Sequence, residues 1–538
     1  MKKILLYIGA ALLTFMAVQA RNDFNSPLSP NNKLRMAEAA VVQLYVDSVD
    51  EEKLVEDAIK GMLEKLDPHS QYSNAEETKE LNEPLEGNFS GIGISFNMPN
   101  DTLYVIQTIS GGPSERVGMQ AGDRIITVND TLISGVKMKN RDIMKRLRGP
   151  KGTEVDLKVL RKNAGASDTI NFKVTRADIP IYSVDAAYMV EPGIGYVRVN
   201  KFAAETPKEF REAVSKLKKQ GMKDLILDLT DNGGGYLNAA VDMLGEMLPV
   251  GTMTVYTEGL NSPRHNNYAF PKGATPLLED GRVAVMVNQY SASASEITAG
   301  AIQDWDRGLI VGRRTFGKGL VQRPVPFPDG SMMRLTIAHY YTPSGRDIQR
   351  PYTKGDNEAY AKDILDRFHS GELMHEDSIR RIDSLKVKTL RLNRDVYSGG
   401  GISPDRFVAL DTTMYTKYYR GVMAKGVFNR WAINYVDSHR KEMKKQWKTD
   451  DEFVNSFEIT PEMLTQVYDM AASEGVEYNE EQAEISAPLF KMILKALIGR
   501  DTYENETYFK VYNRFDPIFR NALEAIKSDD PVYSTSGK

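Results

Sequence analysis

Residues 224–235 read DLILDLTDNGGG, and this stretch indicates the class of the central fold. Its apolar run is bounded by turn residues, which is typical of a strand buried inside a sheet. The glycine-rich turn at 231–235 then leads into a helix. An amphipathic helix is predicted at 207–219 and a second buried strand at 282–288. Strands that alternate with helices in this way predict an α/β core.

The bulk composition sets the scale of the protein and excludes several kinds of site. A chain of 538 residues is too long for one hydrophobic core, so several domains are expected. The formal net charge of -4 lacks the basic footprint of a nucleic-acid-binding protein. Cysteine is absent, which excludes disulfides, thiol catalysis and thiolate metal sites. The 6 histidines show no metal-ligand spacing, so neither a metal nor a cofactor is expected.

The N-terminus has the pattern of a secretory signal. Two lysines follow Met1, a mostly apolar run extends from Ile4 to Val18, and Gln19-Ala20 follows it. This order of charge, short apolar stretch and small residue predicts cleavage after Ala20 and removal of residues 1–20. We therefore expect an exported, periplasmic protein. A retained segment would instead anchor the chain to a membrane.

A helical region and then a β-rich region precede the α/β core. Residues 21–87 form the predicted N-terminal helical region, because apolar residues recur there at helical spacing. Residues 88–178 hold short β-rich runs punctuated by glycine, with one helix at 140–147. Their strand order and loops resemble a PDZ domain. The resemblance implies that backbone N–H groups of the loop Gly91-Ile92-Gly93-Ile94 bind a chain-terminal carboxylate.

The remaining chain completes a multidomain prediction. The α/β core is expected at 179–410, with a charged, helix-prone insertion at about 354–397. Residues 411–538 are mostly helix-forming and rich in aromatic side chains. The predicted fold is thus a multidomain α/β protein with a β-rich PDZ-like domain, in which an α/β hydrolytic core lies between helical N-terminal and C-terminal regions.

Two segments of the core carry the chemical signal. The first is the serine cluster Ser291-Ala292-Ser293-Ala294-Ser295-Glu296, and the second is Thr315-Phe316-Gly317-Lys318-Gly319-Leu320-Val321-Gln322. A hydroxyl nucleophile needs a base, and a lysine can be that base once burial removes its proton. The pair predicts a serine hydrolase that does not use histidine.

These segments, placed behind a PDZ-like region, resemble the carboxyl-terminal processing peptidases, also called tail-specific proteases. The likeness runs from about Val41 to Asp405 and includes the segment Leu66-Asp67-Pro68-His69-Ser70. It implies that Ser293 is the nucleophile, Lys318 the general base, and Gln322 the residue that orients the lysine. A spacing of four along a strand would place Lys318 and Gln322 on one face.

The implied mechanism makes a demand on the lysine. Free lysine titrates near ~10.4, so a base that works at neutral pH needs a pKa of roughly 7. That change corresponds to about 4 kcal/mol and requires burial or neighbouring positive charge. Gln322 can accept a hydrogen bond from the amine without adding charge, whereas a carboxylate in its place would hold the proton on the lysine.

The same resemblance implies an oxyanion hole made by the backbone N–H groups of Ala294 and Gly235. One departure affects this expectation, because the family often has arginine and asparagine where this chain has Thr230 and Asp231. The support of the glycine loop is therefore expected to differ. Asp304 matches an acidic position of the family, and a purely structural role in its helix is the alternative.

Two other interpretations stay open. The first is a Ser–His mechanism, in which a histidine is the base. Of the histidines, only His339 lies on a predicted core strand and could take that role. The chain could also be a catalytically silent PDZ scaffold that binds peptides.

The preferred expectation is an exported serine endopeptidase that cuts proteins near their C-termini after the PDZ loop captures the tail. Its expected partners are protein or peptide substrates with apolar C-termini such as Ala, Val or Leu, with Ile94 and Phe96 lining the pocket or belonging to the core. The natural substrate and the need for an adaptor protein stay open.

Overall fold

The computed structural model describes residues 29–98, 101–109, 111–163 and 166–534. The predicted signal segment 1–20 lies outside these residues. The chain divides into two compact units. The first contains the described residues up to Glu76, together with 322–336 and 352–361, and the second contains the rest. Within the described ranges, no helix is both long enough and apolar enough to cross a bilayer.

Helices and strands are numbered in chain order. The helices are α1 (Pro30–Leu44), α2 (Glu51–Leu63), α3 (Ala75–Glu86), α4 (Pro113–Arg116), α5 (Asn140–Leu147), α6 (Thr206–Lys219), α7 (Leu237–Leu244), α8 (Ala294–Asp304), α9 (Asn357–His369), α10 (Lys417–Ala424), α11 (Val427–Gln446), α12 (Asp450–Ser456), α13 (Pro461–Ser473), α14 (Glu480–Thr502), α15 (Asn505–Tyr512), α16 (Pro517–Lys527) and α17 (Pro531–Ser534). The strands are β1 (Gln71–Ser73), β2 (Asn88–Gly91), β3 (Ile94–Asn97), β4 (Leu103–Thr108), β5 (Arg124–Val128), β6 (Thr131–Leu132), β7 (Glu154–Asn163), β8 (Ala166–Thr175), β9 (Ala177–Pro180), β10 (Val184–Glu191), β11 (Ile194–Val199), β12 (Asp224–Asp228), β13 (Met253–Gly259), β14 (Ser262–Tyr268), β15 (Val283–Val287), β16 (Leu309–Gly312), β17 (Leu320–Pro326), β18 (Met332–Tyr341), β19 (Lys386–Lys388), β20 (Asp395–Tyr397) and β21 (Arg406–Phe407).

The first unit combines two helices with an antiparallel strand pair. Helices α1 and α2 begin after Ser29 and Asp50, whose side chains each accept a backbone N–H bond from the first turn. After α2, Asp67 closes a turn by accepting the backbone N–H groups of the two residues that follow Pro68. Strand β1 then pairs with residues 332–334 of β18. The turn predicted at the end of the helical stretch is therefore held by one carboxylate.

The PDZ-like part of the second unit is a sheet in the order β3-β4-β5-β7-β8, with β6 added to β5 and with β2 paired to β9. Helix α5 packs on this sheet through the buried side chains of Ile143 and Leu147. Strand β3 lies at one edge of the sheet, and β8 lies at the other. The predicted β-rich fold is confirmed, and its edge strand β3 follows directly after the predicted carboxylate loop.

The α/β core is a sheet in the order β10-β11-β12-β15-β16-β21. Strand β10 runs antiparallel to β11, and the neighbours from β11 onward are parallel. All five residues of β15 are buried, as is typical of a parallel strand covered on both faces. One face is covered by α6, α7 and α8, and the other by α16. Because β12 and β15 are adjacent and parallel, the loops that follow them meet at one edge of the sheet.

The helical C-terminal region packs in two parts. Helices α10 to α15 enclose a cluster of their own, rich in aromatic side chains that include Trp431, Phe453 and Phe490. Helix α16 instead lies on the core sheet, where the ring of Phe519 meets that of Tyr196 edge-on at 5.6 Å. The sequence predicted one helical C-terminal region, and its last part, α16, covers one face of the α/β core sheet.

The charged insertion is only partly helical. Helix α9 covers its first part, and the remainder forms two 3-10 turns at Glu376–Ser378 and Asp383–Leu385 and the antiparallel pair β19–β20. Helix formation stops before Gly371, whose φ of 81° is left-handed. Beyond it, alternation around Val387 matches strand periodicity, and its partner Val396 is buried.

Candidate active site

The three serines of the cluster differ in exposure. Ser291 is fully buried, and its hydroxyl donates to the carbonyl oxygen of Leu229 at 2.7 Å. Ser295 is also fully buried and donates to the carbonyl oxygen of Asn232 at 2.8 Å. Ser293 between them is half-buried. Of the three hydroxyl groups, that of Ser293 is therefore the one that a substrate can approach.

The backbone of Ser293 is strained. It precedes helix α8 with φ 56° and ψ -112°, a combination that side-chain-bearing residues rarely adopt. Such a conformation costs about 1–3 kcal/mol and persists only where the surroundings enforce it. Here the glycine loop, residues 231–235, packs closely against Ser293, because a Cβ on Gly234 would lie 2.8 Å from the Ser293 Cβ. The strain places the half-buried serine at the start of a helix, where backbone N–H groups point outward.

The serine cluster and the lysine segment are joined by a buried carboxylate. Glu296 is fully buried, and its Oε2 accepts the backbone N–H of Ser293 at 2.8 Å and that of Lys318 at 2.9 Å. Its Oε1 accepts the Thr315 hydroxyl at 2.5 Å and the Gly317 N–H at 2.7 Å. Burial raises the pKa of Glu296, while these four donors oppose that rise. One carboxylate thus fixes the main chain of both segments.

A buried tyrosine makes a second link between the same two segments. The Tyr340 hydroxyl lies 3.0 Å from the carbonyl oxygen of Ser293 and also bonds the carbonyl oxygen of Lys318. Tyr340 is 1% exposed, so the position of its hydroxyl is set by packing. The sequence interpretation assigned no site role to Glu296 or Tyr340. The spacing Ser293-x-x-Glu296 is a capping-box pattern that could have indicated the glutamate; no local pattern indicates the tyrosine.

Lys318 lies in the turn before β17, and Gln322 lies within that strand. The Lys318 side chain is half-buried. In the first unit, the Gln322 Nε2 donates to the Thr336 Oγ1 at 3.3 Å, and the same Oγ1 donates to Asp67 at 2.9 Å. Because a threonine hydroxyl has a single hydrogen, it must accept from Gln322. This fixes the amide, with its carbonyl oxygen Oε1 at the opposite end.

The glycine loop, residues 231–235, is linked to the serine cluster through Asn232. Its main-chain carbonyl accepts the Ala292 N–H at 3.0 Å, and its side-chain oxygen accepts the Gly234 N–H at 2.9 Å. Within the described residues, the N–H groups of Gly235 and Ala294 donate to no acceptor. Gly235 has φ 147° and abuts Phe202, where a Cβ would lie 2.2 Å from the carbonyl oxygen. The predicted pair of donors is available, whereas Gly234 is already engaged.

The departure at Thr230 and Asp231 is compensated by other contacts. Asp228 accepts the Thr230 N–H at 2.8 Å and its hydroxyl at 2.7 Å. Arg198, from the neighbouring strand β11, bonds the Asp228 carboxylate at 2.6 Å and the Thr230 Oγ1 at 2.9 Å. Asp231 exchanges two bonds with Asn288, of 3.1 and 2.8 Å. The loop is therefore supported by an arginine on a different strand.

The other candidates fall into structural roles. Asp304 is fully buried, bonds the guanidinium of Arg346 and accepts the Ser344 N–H at 2.9 Å, as expected of the structural alternative. His339 pairs with Asp347 at 3.1 Å. Adjacent strand residues point to opposite faces of a sheet, and Tyr340 is the one that points toward Ser293. His339 is therefore directed away from the serine.

The predicted carboxylate loop lies between β2 and β3. The carbonyl oxygens of Ile92 and Gly93 accept backbone bonds from Ser114 and Ile109, both at 3.0 Å. The N–H groups of Ile92 and Gly93 make no hydrogen bond to any described residue. Ile94 and Phe96, on β3, are partly exposed and pack against the PDZ core.

Family models match four stretches of the chain. Peptidase family S41 matches residues 193–359, which contain the serine cluster and the lysine segment. A PDZ domain matches residues 90–179. The N-terminal domain of the activating protease CtpB matches residues 14–78. A family of unknown function matches residues 418–504.

Matches to individual proteins cover more of the chain than the peptidase family model does. The carboxy-terminal-processing protease of Bartonella bacilliformis is 37% identical over 309 residues, covering 57% of this chain and 69% of that protein. The chain belongs to peptidase family S41. A second relative, the carboxy-terminal processing protease CtpB of Bacillus subtilis, is 32% identical over 354 residues, which are 65% of this chain and 71% of that protein.

A solved structure of the photosystem II D1 C-terminal processing protease has 30% sequence identity to this chain and a TM-score of 0.32. The match covers 59% of this chain and 84% of the chain in that structure. As a member of family S41, the chain is a serine-type peptidase of the C-terminal processing family with a peptide-binding PDZ domain, and it acts on protein substrates.

Proposed function

We propose that this S41 peptidase is exported and cleaves proteins near their C-termini by a Ser–Lys mechanism, after its PDZ domain has captured the tail of the substrate. The observation that carries the mechanism is the Glu296 Oε2, which holds the backbone N–H groups of Ser293 and Lys318 together. Two segments that are hydrogen-bonded to one buried carboxylate move together, so the nucleophile and the base keep their relative position.

In the first step, the neutral Lys318 amine takes the proton of the Ser293 hydroxyl while the oxygen attacks the scissile carbonyl carbon. The resulting lysinium later gives this proton to the leaving amine, and the peptide bond breaks to form an acyl-enzyme. Water then attacks the ester with Lys318 again as the base, which releases the new carboxyl terminus and restores the serine. Gln322 accepts a hydrogen bond from the amine through its Oε1 without stabilising the charged form as a carboxylate would.

The oxyanion formed in each half-reaction needs two donors. The N–H groups of Ala294 and Gly235 fill this role, since they donate to no described residue. The Ala294 N–H lies at the N-terminus of α8, where the helix dipole favours negative charge. Removing one such donor in comparable enzymes costs about 10²–10³ in rate.

Tail capture uses the loop before the edge strand β3. The N–H groups of Ile92 and Gly93 bind the terminal carboxylate, and the substrate tail adds to β3 as a further strand. Ile94 and Phe96 are partly exposed there and favour an apolar last residue such as Ala, Val or Leu. Delivery by an adaptor protein is compatible with this arrangement but is not required by it.

Cleavage is tested by mass spectrometry of tailed proteins incubated with the intact chain. Ser293→Ala and Lys318→Ala are expected to abolish the C-terminal fragments, while Lys219→Ala, which removes an exposed lysine of α6, should leave them unchanged. If Ser293→Ala still bound apolar C-terminal peptides and the intact chain never cleaved them, the chain would be a silent PDZ scaffold. Activity that survived Lys318→Ala would overturn the Ser–Lys mechanism.

Tail capture and export need their own measurements. A substrate with an amidated C-terminus should be cleaved more slowly than the free acid, and equal rates would contradict capture through the carboxylate loop. For export, the proposal is that residues 1–20 are removed and the mature chain is periplasmic. N-terminal sequencing of the secreted form should then begin at Arg21. Recovery of the intact N-terminus in the membrane fraction would indicate a retained anchor instead.

A further inference from the structure

A cavity of about 540 Å³ lies where the carboxyl ends of the core strands meet the C-terminal helices. Its walls include Asp231 after β12, Asn288 and Tyr290 after β15, and Arg313 after β16. The opposite wall comes from the helical region, including Phe515 just before α16. All of these residues belong to the second compact unit.

The cavity borders the two loops that form the active site. Tyr290 is three residues from Ser293, so their Cα atoms are separated by at most about 11 Å of extended chain. Asp231 precedes the oxyanion glycines, and its two bonds with Asn288 connect the glycine loop to the serine loop at the cavity wall. A molecule bound here would contact the support of the catalytic serine without needing to occupy the scissile position.

Arg313 is the unusual group in this cavity. It is only 7% exposed, and its Nε and Nη1 donate to Gln289 at 2.9 Å and to the Val408 carbonyl at 3.3 Å. Among the described residues, its Nη2 has no acceptor, and no carboxylate lies within the 4.0 Å of an ion pair. Elsewhere in the core, Arg346 and Arg367 are paired with Asp304 and Glu372. Arg307 has no ion pair with a described residue, but all three of its guanidinium nitrogens donate to main-chain carbonyl oxygens, which the Nη2 of Arg313 does not. Cations are rarely buried without a partner, so this one marks a place for an anion.

The remaining lining residues indicate what the uncharged part of the ligand is made of. Tyr290, Tyr415 and Phe515 are 50%, 43% and 48% exposed, which leaves aromatic faces open to a ligand. Leu489 and Ile518 add buried aliphatic wall. Apolar walls with a few placed polar groups are typical of sites for small organic ligands.

The acidic residues of the cavity limit the charge of the ligand. Asp231 is bonded to Asn288, Asp411 to Thr413, and Asp516 to the Ile518 N–H, so each carboxylate has its own donor. Asp231 and Asp516 still act on Arg313 at longer range. They would repel a doubly charged phosphate more strongly than a singly charged carboxylate.

We propose that this cavity binds a monocarboxylate carried on an aromatic or aliphatic body, with the carboxylate on the Arg313 guanidinium. The carboxylate can belong to the free C-terminus of a short peptide, to an acidic side chain, or to a small aromatic acid, because all three present the same group. The site is separate from the PDZ loop and goes beyond the proposed peptidase function. Its position beside the Asp231–Asn288 link makes it a site from which a ligand acts on the glycine loop.

The test measures binding by calorimetry to the full chain carrying Ser293→Ala, so it requires no peptidase activity. The probes are 3-phenylpropionate and its neutral amide. The acid is expected to bind about tenfold or more tightly than the amide, since a hydrogen bond to a buried charge is lost in the amide. Adding Arg313→Gln should bring the acid to the affinity of the amide. Equal binding of acid and amide, or no saturable binding of the acid, would overturn the proposal.

Two further variants separate recognition from folding. Arg514→Gln changes another arginine of the cavity, one that is exposed and held by Val454 and Asn455, and should leave the preference for the acid intact. Phe515→Ala removes a half-exposed wall and should weaken acid and amide alike, with an unchanged melting temperature. If Phe515→Ala altered neither affinity, the body would lie elsewhere and the assignment would be wrong.

The source of the carboxylate is resolved with peptides on the same background. A tripeptide ending in Phe is compared with its amidated form and with an amidated tripeptide that contains Glu. Binding that is lost in Arg313→Gln supports the proposal, and the peptide that shows this loss identifies the carboxylate as terminal or as a glutamate side chain. Because the PDZ loop is expected to bind free tails as well, the number of peptides bound per chain is measured, and Arg313→Gln should remove one binding site. An unchanged number of bound peptides and unchanged affinities in Arg313→Gln would contradict the proposal.

Discussion

The backbone N–H of Ser293 donates to the Oε2 of Glu296 at 2.8 Å, within the first turn of the helix that the serine precedes. This bond turns the helix start toward the lysine segment, because the same oxygen also accepts the N–H of Lys318. A carboxylate, which accepts at both oxygens and donates at neither, is the group that can satisfy four donors at once. Glu296 is therefore a positioning residue, and it does not need to touch the substrate.

Replacement of Glu296 by Gln should impair both stability and turnover. The amide brings an NH₂ group against backbone donors, which leaves buried donors unpaired and lowers the free energy of unfolding by about 2 kcal/mol. We expect kcat to fall by about tenfold or more, with KM changing less. Urea unfolding and steady-state kinetics measure these effects. Glu212→Gln, an exposed substitution on α6, is the matched control; equal behaviour of the two variants would refute the positioning role.

Tyr340→Phe should slow catalysis without unfolding the protein. The variant removes only the hydroxyl that bonds the carbonyl oxygens of Ser293 and Lys318. The loss of about 1 kcal/mol from this contact predicts a roughly fivefold decrease in kcat. Tyr341→Phe is the control, because its ring stacks on Tyr256 on the opposite face of the strand. A larger effect in Tyr341→Phe than in Tyr340→Phe would contradict this reading.

Gly234→Ala should abolish activity, whereas Gly221→Ala should not. The two glycines have similar φ values of 100° and 96°, so each substitution carries a similar backbone cost of about 1 kcal/mol. A Cβ at Gly221 meets nothing within 4 Å, while one at Gly234 would lie 2.8 Å from both the Ala292 carbonyl oxygen and the Ser293 Cβ. Peptidase assays and melting temperatures of both variants make the comparison. Full activity in Gly234→Ala would show that the loop can move away from the serine.

Thr336→Val should misorient Gln322. Without the hydroxyl, nothing at that position distinguishes the two ends of the amide, and the Asp67 carboxylate loses a donor. We expect kcat to fall by about fivefold and the acidic limb of the kcat/KM profile to move to lower pH, because a carbonyl acceptor stabilises the charged amine more than the neutral one and the misoriented amide no longer supplies it. Thr336→Ser keeps the hydroxyl and should retain activity and the pH profile. An unchanged profile in Thr336→Val would remove Gln322 from the mechanism.

The stability of the chain should depend on Asp516 between about pH 4 and pH 6. Burial raises the pKa of Asp516 to about 6, above its value in the unfolded chain near ~3.9. In this window the folded state binds more protons, so the contribution of this group to stability falls as the pH rises, by about 1–2 kcal/mol. Asp516→Asn should remove that share of the pH dependence, while Asn still accepts the Ile518 N–H. Urea midpoints of the unmodified chain and of Asp516→Asn are measured at pH 4.5 and at pH 7.5. The midpoint should fall more between these pH values in the unmodified chain, and an equal change in both proteins would contradict the prediction.

Much of the architecture follows from local patterns. The helix at Asn140–Leu147 and the buried strands at 224–228 and 283–287 lie where periodicity predicted them, because burial of one face leaves a repeating apolar signal. The insertion was less predictable. Its charged composition suggested helix throughout, yet the segment after Gly371 turns and pairs as a hairpin, since contacts between strands are not encoded in local propensity.

For the site, the sequence alone was enough to indicate the chemical groups: a serine cluster, a lysine and a glutamine at spacings that resemble a known peptidase family. Which serine is accessible could be read only after folding, when Ser291 and Ser295 became buried donors and Ser293 did not. The same holds for Tyr340, for Arg198, which supports the glycine loop, and for Arg313, which has no ion pair among the described residues. Each depends on which distant segments come together, and packing and hydrogen-bond satisfaction across the whole chain settle that, while local spacing does not.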